Sequence, residues 1–256
     1  MKPPDNKIHI MLCMCSHRLI DVASLMSMDS LITNVPQGFR LTKVIGLEAS
    51  ITKSRSFWTT VFYKNPDYDV LAFVDDDMVF NPADFWKICR AAYDKKCVVG
   101  AIYMKREHPP TAIVKVAGNK ICFDGTVQEV DGLGAGFLAI HRNVVEGVVK
   151  DAELVGCGKV YQGEDFPVYY PTFAELVIIE HDVVIGDDYP DLSDPCWQVT
   201  VNVNERHVWL GEDYSFCYLA KKAGFTILAD TSLFVEHVGQ YKYSAKDLKL
   251  FENKDV

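Results

Sequence analysis

No run of eighteen apolar residues occurs in the chain, which excludes a helix that spans a membrane. The opening MKPPDNKIHIMLCMCSHR holds an apolar stretch of eight residues that contains His9, with no small-residue cleavage site. It reads as a buried strand rather than a signal peptide. Basic residues are in deficit, 26 against 35 acids for a net charge of −9. Nothing therefore supplies the broad cationic footprint that duplex nucleic acid requires, although a local basic pocket for a small anion stays open. Paired cysteines are missing as well. Cys13, Cys15, Cys89, Cys97, Cys122, Cys157, Cys196 and Cys217 are scattered without a CxxC, so the ligand spacing of a structural zinc site is absent. Reduced, mostly buried thiols in a cytosolic setting are the expectation. No internal repeat or low-complexity linker divides the 256 residues. One domain with two functional halves is expected, about 7–110 and about 111–256.

What is present is an ordinary globular composition, 49% hydrophobic and 24% charged, with alternating strand and helix signals. IHIMLCMCS (8–16) is a continuous apolar strand. Residues 19–33 carry a helical pattern through Leu19, Val22, Leu25 and Met26. FRLTKVIGL (39–47) is a second strand, and a helix from about Thr52 to Tyr63 ends at Asn65-Pro66. DVLAFVD (69–75) is a third strand. Asn81-Pro82 starts a helix with Phe85, Ile88, Cys89 and Ala92 on one face, and CVVGAIY (97–103) is a fourth strand. Strands joined by such helices imply crossover units and a parallel sheet. Beyond residue 110 the reading becomes β-rich. TAIVKV, Gly118-Asn119 and KICF suggest a hairpin. Residues 127–141 read as a strand broken by glycines, with a helix near 142–150. A helix over 211–223 stops at Gly224, and TILADTSLFVEHVG reads as a last strand pair.

Several segments carry chemistry. In LAFVDDDMVFNP the adjacent Asp75, Asp76 and Asp77 end a strand and precede a helix. Three neighbouring carboxylates repel one another unless a cation or solvent compensates. They are either ligands of a hard divalent cation or a solvated acidic turn that helps cap the next helix. A dehalogenase-like phosphatase also places DxD after a strand, but Val79 stands where it needs Thr. In WLGEDYSFCYLAKKAGF, Glu212 and Asp213 open a helix, which on its own could be favourable pairing with the helix dipole. His237 in LFVEHVG is a ligand or a structural histidine. Lys53 and Arg55 in SITKSRSFW open a helix after the second strand, where a phosphate could be held, or where a basic turn could face solvent. Glycines in DGLGAGFLAIH mark close approach by a ligand, or a bulge.

In order, SITKSRSFW, LAFVDDDMVFNPADFW, VVGAIYMKR, DGLGAGFLAIHR, GEDYSFCYLAKKAGF and FVEHVG cover most of residues 8–240. This series resembles the GT-A-type nucleotide-sugar glycosyltransferases, particularly the small single-domain enzymes of bacteria, phages and large viruses. The resemblance implies an α/β fold, a Rossmann-like and mostly parallel sheet flanked by helices, with a smaller β-rich acceptor-side region. It departs from the family where relatives often read Ala-Arg-Asn and this chain has Ser54, Arg55 and Ser56.

By the same resemblance, Asp75 and Asp77 would be the acids of a DXD motif, Asp77 a metal ligand and Asp75 binding metal or ribose, with Asp76 beside the donor and His237 a further metal ligand. A nitrogen ligand among carboxylates suits Mn2+ better than Mg2+. Arg55 would face the diphosphate, Cys15 and Ser16 the nucleotide base, and Gly134, Ala135 and Gly136 the sugar. Asp213 would be the general base for an acceptor hydroxyl, with Glu212 binding donor or acceptor hydroxyls. At a helix N-terminus Asp213 is expected to have a low pKa. The implied activity is metal-dependent and inverting transfer of a sugar from a nucleoside-diphosphate sugar, UDP-linked, to an acceptor hydroxyl. Two alternatives are a nucleotide-sugar-binding protein without turnover and a sugar-nucleotide nucleotidyltransferase. The latter wants a glycine-rich loop after the first strand, where CMCSHRL has no glycine. A second Gly-Glu-Asp, Gly163, Glu164 and Asp165, is followed by Pro167, which breaks the helix such a motif needs.

Overall fold

A computed structural model describes residues 6–16, 20–47, 50–106, 111–116, 121–150, 152–153, 155–156, 168–181, 201–202, 205–239 and 242–243. The elements run β1 (Ile8–Ser16), α1 (Val22–Thr33), β2 (Phe39–Leu47), α2 (Ile51–Lys64), β3 (Val70–Val74), β4 (Met78–Val79), α3 (Pro82–Lys95) and β5 (Val98–Gly100). They continue with β6 (Val114–Lys115), β7 (Val127–Val130), β8 (Gly132–Leu133), β9 (Phe137–His141), α4 (Arg142–Val149), β10 (Val155–Gly156) and β11 (Val168–Tyr169). The rest are β12 (Leu176–His181), β13 (Val201–Asn202), β14 (Glu205–Leu210), α5 (Glu212–Lys222), β15 (Ile227–Asp230), β16 (Glu236–Val238) and β17 (Lys242–Tyr243).

The central sheet has seven strands in the order β2-β1-β3-β9-β5-β15-β7. β1 runs parallel to β2 and β3, and β15 runs parallel to β5. β9 lies antiparallel between β3 and β5, and β7 lies antiparallel on β15. The sheet is thus mostly parallel, with two reversed strands that the alternating pattern did not foretell. Every residue of β1 is buried, as a central strand covered on both faces requires. Ile8, Ile10, Leu12 and Met14 join the core beneath α1 and α3. Met11, Cys13 and Cys15 join the core beneath α2, α4 and α5. The period-two alternation of the strand therefore feeds both layers of an α/β/α arrangement.

Helix starts follow their caps. Asp21 accepts from Ala23 N, Ser50 from Lys53 N, and Asn81 from Ala83 N with Pro82 at the first helical position. Along α3, the expected face of Phe85, Ile88, Cys89 and Ala92 is the buried one. Along α1 it is not. Val22 and Met26 are 71% and 69% exposed, whereas Ser24, Ser27, Met28 and Leu31 are buried. Ser27 turns inward because its hydroxyl accepts from Phe80 N and donates to Ala23 O. A tertiary hydrogen bond there outweighs the apolar count.

The turn of the expected hairpin, Gly118-Asn119, lies outside the described residues, and its described arms do not pair with each other. β6 pairs antiparallel with β8, and Ile113 N donates to Tyr103 O. KICF forms no strand among its described residues. TILADTSLFVEHVG does hold two strands, but β15 lies in the central sheet while β16 pairs with β4 and β17. The second Gly-Glu-Asp at 163–165 lies outside the described residues. Cys13, Cys15, Cys89, Cys97 and Cys217 are free and buried, and Cys122 is free and exposed. No helix among the described residues is long and apolar enough to cross a membrane.

Candidate active site

Four segments meet beyond the carboxyl ends of the parallel strands, where ligands bind in open α/β sheets. They are the Asp75-Asp76-Asp77 turn after β3, the Gly134–Gly136 segment before β9, the first turn of α5, and β16. Main-chain bonds fix their register. Asp75 N donates to Gly136 O at 3.0 Å, and Val238 N donates to Asp77 O at 2.8 Å. The antiparallel pairing of β16 with β4 sets His237 opposite Met78 and therefore next to Asp77.

Arg55, on α2, is 2% exposed and sits at the centre. Its Nη2 donates to Asp75 Oδ1 and Oδ2 at 2.8 and 2.9 Å. Its Nη1 donates to Asp213 Oδ1, and to Glu212 Oε1 at 3.3 Å. The first acid motif and the helix-opening acid pair are thus one cluster. Arg55, expected to face a diphosphate, has its guanidinium turned inward here, where three carboxylates converge on it. Burial works against its charge, but Asp213 and Asp75 more than offset this and hold it charged. Phe173 forms the floor, its ring centroid 6.0 Å from the guanidinium carbon. Phe173 is stacked on Phe216 and anchored by its backbone N–H to Ser56 Oγ at 3.0 Å.

Asp213 corrects the expected low pKa. Burial pushes its carboxyl up; Arg55 pulls it down; the neighbouring Glu212 and Asp75 push it up again, and the result is about 7. One guanidinium cannot neutralise three carboxylates, and desolvation outweighs the helix dipole. The side chain keeps 20% of its surface open. The Ala135 backbone N–H hydrogen-bonds it.

Gly134 and Gly136 are required here, but by a side chain of the protein itself. A Cβ at Gly134 would lie 2.3 Å from Tyr103 Oη, and one at Gly136 2.6 Å from Tyr103 Oη and 3.0 Å from Asp75 Oδ2. Tyr103 is buried and its hydroxyl accepts from Gly136 N at 2.8 Å. Gly134, Ala135 and Gly136 are all buried, so they bridge the acid motifs rather than present an open surface.

Asp77 and His237 form a second cluster. His237 Nδ1 lies 3.0 Å from Met104 O. A carbonyl only accepts, so Nδ1 carries the proton and Nε2 presents its lone pair. Arg106 Nε donates to that Nε2 at 2.9 Å, and Arg106 Nη2 donates to Asp77 Oδ2. Asp77 Oδ1, 3.4 Å from His237 Nε2, is buried without a hydrogen-bond partner. Asp75 is spent on Arg55 and does not join this pair. Among the described residues no group of three or more His, Cys, Asp or Glu comes together to hold a metal.

At the end of β1, Cys15 Sγ accepts from Ser54 Oγ at 3.4 Å, and burial pushes its thiol up to about 11. It is an inert neutral thiol. Ser16 Oγ is buried without a partner. Asp76 is half-buried, and its carbonyl accepts from Asp21 N at 3.1 Å, joining the start of α1 to the acidic turn. Tyr103, Arg106, Phe173 and the Met104 carbonyl were not singled out from sequence. The signal available was position: Tyr103 ends the fourth apolar run, and Arg106 lies three residues beyond it.

No protein-family model matches the chain, and no curated protein matches it. Among solved structures it is similar to A197 from STIV, at 18% identity over 91% of this chain and 86% of that one, with a TM-score of 0.51. Two others are far weaker. Staphylococcus aureus TarS 1–349, in complex with UDP-GlcNAc, is 13% identical over 58% of this chain and 48% of that one, with a TM-score of 0.29. The 4-diphosphocytidyl-2C-methyl-D-erythritol synthase of Anaerococcus prevotii is 12% identical over 59% and 78%, also with a TM-score of 0.29. The likeness to A197 is one of fold. The architecture is α/β and Rossmann-like, of the GT-A kind, with a mostly parallel sheet between helices and small sheets beside it.

Proposed function

We propose that the chain is a glycosyltransferase that moves a sugar from a nucleoside-diphosphate sugar, UDP-linked, to an acceptor hydroxyl. The observation that carries this reading is the cluster in which Arg55 ties Asp75 to Asp213 at the carboxyl ends of the strands. Asp213 is the proton acceptor. With a pKa pushed up to about 7, it is a stronger base than an ordinary aspartate and is still half ionised at neutral pH. Ala135 N–H and Arg55 orient it, and Glu212 beside it binds hydroxyls of donor or acceptor. A base on the acceptor side leads to inversion at the anomeric carbon.

Asp77 and His237 fit a divalent cation. A buried carboxylate oxygen without a hydrogen bond faces an imidazole nitrogen that presents its lone pair, now taken by the exposed Arg106, and Met104 O fixes the ring as an outer partner does at metal sites. These two side chains would hold Mn2+ or Mg2+, and the donor would complete its coordination. The bound ion would neutralise the charge that develops on the departing diphosphate. Arg55 orients the base: its guanidinium ties Asp75 and Asp213 together and keeps Asp213 aimed. Ser16 Oγ, buried and unpartnered, is left to bind the nucleotide.

Calorimetric titration with UDP tests the reading. Binding is expected with Mn2+ and is expected to fall by at least about tenfold with a chelator. Equal affinity in both conditions removes the cation from the reading, and no binding in either removes the nucleotide.

A further inference from the structure

His237 Nε2 and Asp77 Oδ1 are two acceptors facing each other across 3.4 Å. The repulsion of such a pair is relieved here by a cation, Arg106. Its Nε donates to His237 Nε2 and its Nη2 to Asp77 Oδ2. The same two side chains are those read above as ligands of a divalent ion, and the inference rests on that reading.

The two cations are mutually exclusive. An imidazole nitrogen has one lone pair, so a metal ion that takes Nε2 must evict the Arg106 N–H. The scaffold favours eviction over collapse. His237 stays fixed by Met104 O and by the edge of the Tyr103 ring, 5.5 Å away at 82°. Arg106 is 48% exposed, and ion pairs of such exposed side chains are readily exchanged. Once released, its guanidinium remains on the short segment that carries Tyr103 and Met104, at the rim of the site. Its fork of N–H donors matches the oxygens of a diphosphate.

We propose that Arg106 is handed over: it stands in for the metal at Asp77 and His237 in the free protein, and turns to the diphosphate of an incoming nucleotide when a divalent ion replaces it.

The test is Arg106→Gln, read by two titrations and a melting curve. Mn2+ alone should bind the variant about tenfold more tightly, because the competitor is gone. UDP with saturating Mn2+ should bind about tenfold more weakly, because a charge-assisted contact is lost. Arg106→Lys, which keeps the charge but not the fork, should restore the parent Mn2+ affinity and only part of the UDP affinity. Opposite shifts in the two titrations support the handover. Unchanged or weaker Mn2+ binding overturns it, and tighter binding of both ligands overturns it in favour of a plain plug. UDP binding by neither protein overturns it together with the reading on which it rests, whereas a normal UDP titration beside an unchanged Mn2+ titration overturns the handover alone.

Discussion

Arg55 Nη2 donates to both carboxylate oxygens of Asp75, at 2.8 and 2.9 Å, from a side chain that is 2% exposed. This joins the second helix to the end of the third strand, and through Nη1 it reaches the fifth helix. Removal of the guanidinium leaves Asp75, Glu212 and Asp213 facing one another. Arg55→Met should destabilise the fold by about 3 kcal/mol at neutral pH, with most of the loss recovered at acid pH, where the carboxyls are protonated. Urea melts at two pH values check this. A loss that is equal at both would mean that packing on Phe173, and not charge, is what Arg55 supplies.

Asp213 makes stability depend on pH in an unusual direction. Unfolded, an aspartate ionises near pH 4; folded, this one ionises near 7. Between those values the folded protein holds the extra proton, so stability should fall as pH rises from about 4 to about 7 and level off above. At roughly 1.4 kcal/mol per unit, the fall is at most about 4 kcal/mol. Asp213→Asn should abolish this slope and be at least as stable as the parent at pH 8. Denaturant midpoints across the range measure it, and an unchanged slope would assign the proton to another group.

Tyr103 and Gly134 form a lock. Gly134→Ala puts a Cβ within 2.3 Å of Tyr103 Oη and 2.7 Å of Ile113 Cγ2, and overpacking of this kind should cost about 2–3 kcal/mol. Adding Tyr103→Phe should recover part of that loss but not all of it, since the ring carbon beneath the hydroxyl is still only 2.8 Å away. Tyr103→Phe alone leaves the buried Gly136 N–H without its acceptor and should cost about 1–3 kcal/mol. A double variant no better than Gly134→Ala would place the clash elsewhere.

His237→Ala should weaken UDP binding in the presence of Mn2+ by about tenfold or more, as loss of a metal ligand or its support does, and leave binding under chelator unchanged. The melting temperature should move little, because β16 is held to β4 through the main chain. Parallel titrations with Mn2+ and with chelator test this. An equal effect in both would make His237 a structural residue.

Much of the fold was legible. The alternation from β1 to β5 stood in continuous apolar runs and in caps such as Asn81-Pro82, and the buried face of α3 followed from Phe85, Ile88, Cys89 and Ala92. What was hidden depends on distant partners. The inward face of α1 is chosen by the bond of Ser27 to Phe80 N, and β6 finds β8 across an intervening segment that reads locally as a hairpin. The site divides in the same way. Asp75, Asp77, Asp213 and His237 announced themselves by lying at strand ends and a helix start. That Arg55 would serve Asp75 and Asp213 together could not be read locally. It follows from a reversed strand, β9, which sets Ala135 and Gly136 between the two acid motifs. Local sequence gives only part of the pKa of Asp213, because burial and the distant Arg55 and Asp75 act on it together with the adjacent Glu212.

The most direct test is the release of nucleoside diphosphate from a panel of nucleotide-sugars with Mn2+, comparing the parent with Asp213→Asn. The account predicts that at least one donor, UDP-linked, is turned over by the parent. It predicts that Asp213→Asn slows this by on the order of 10²–10⁴-fold, with donor affinity near the parent value. Turnover of no donor, or an Asp213→Asn variant as fast as the parent, would contradict it.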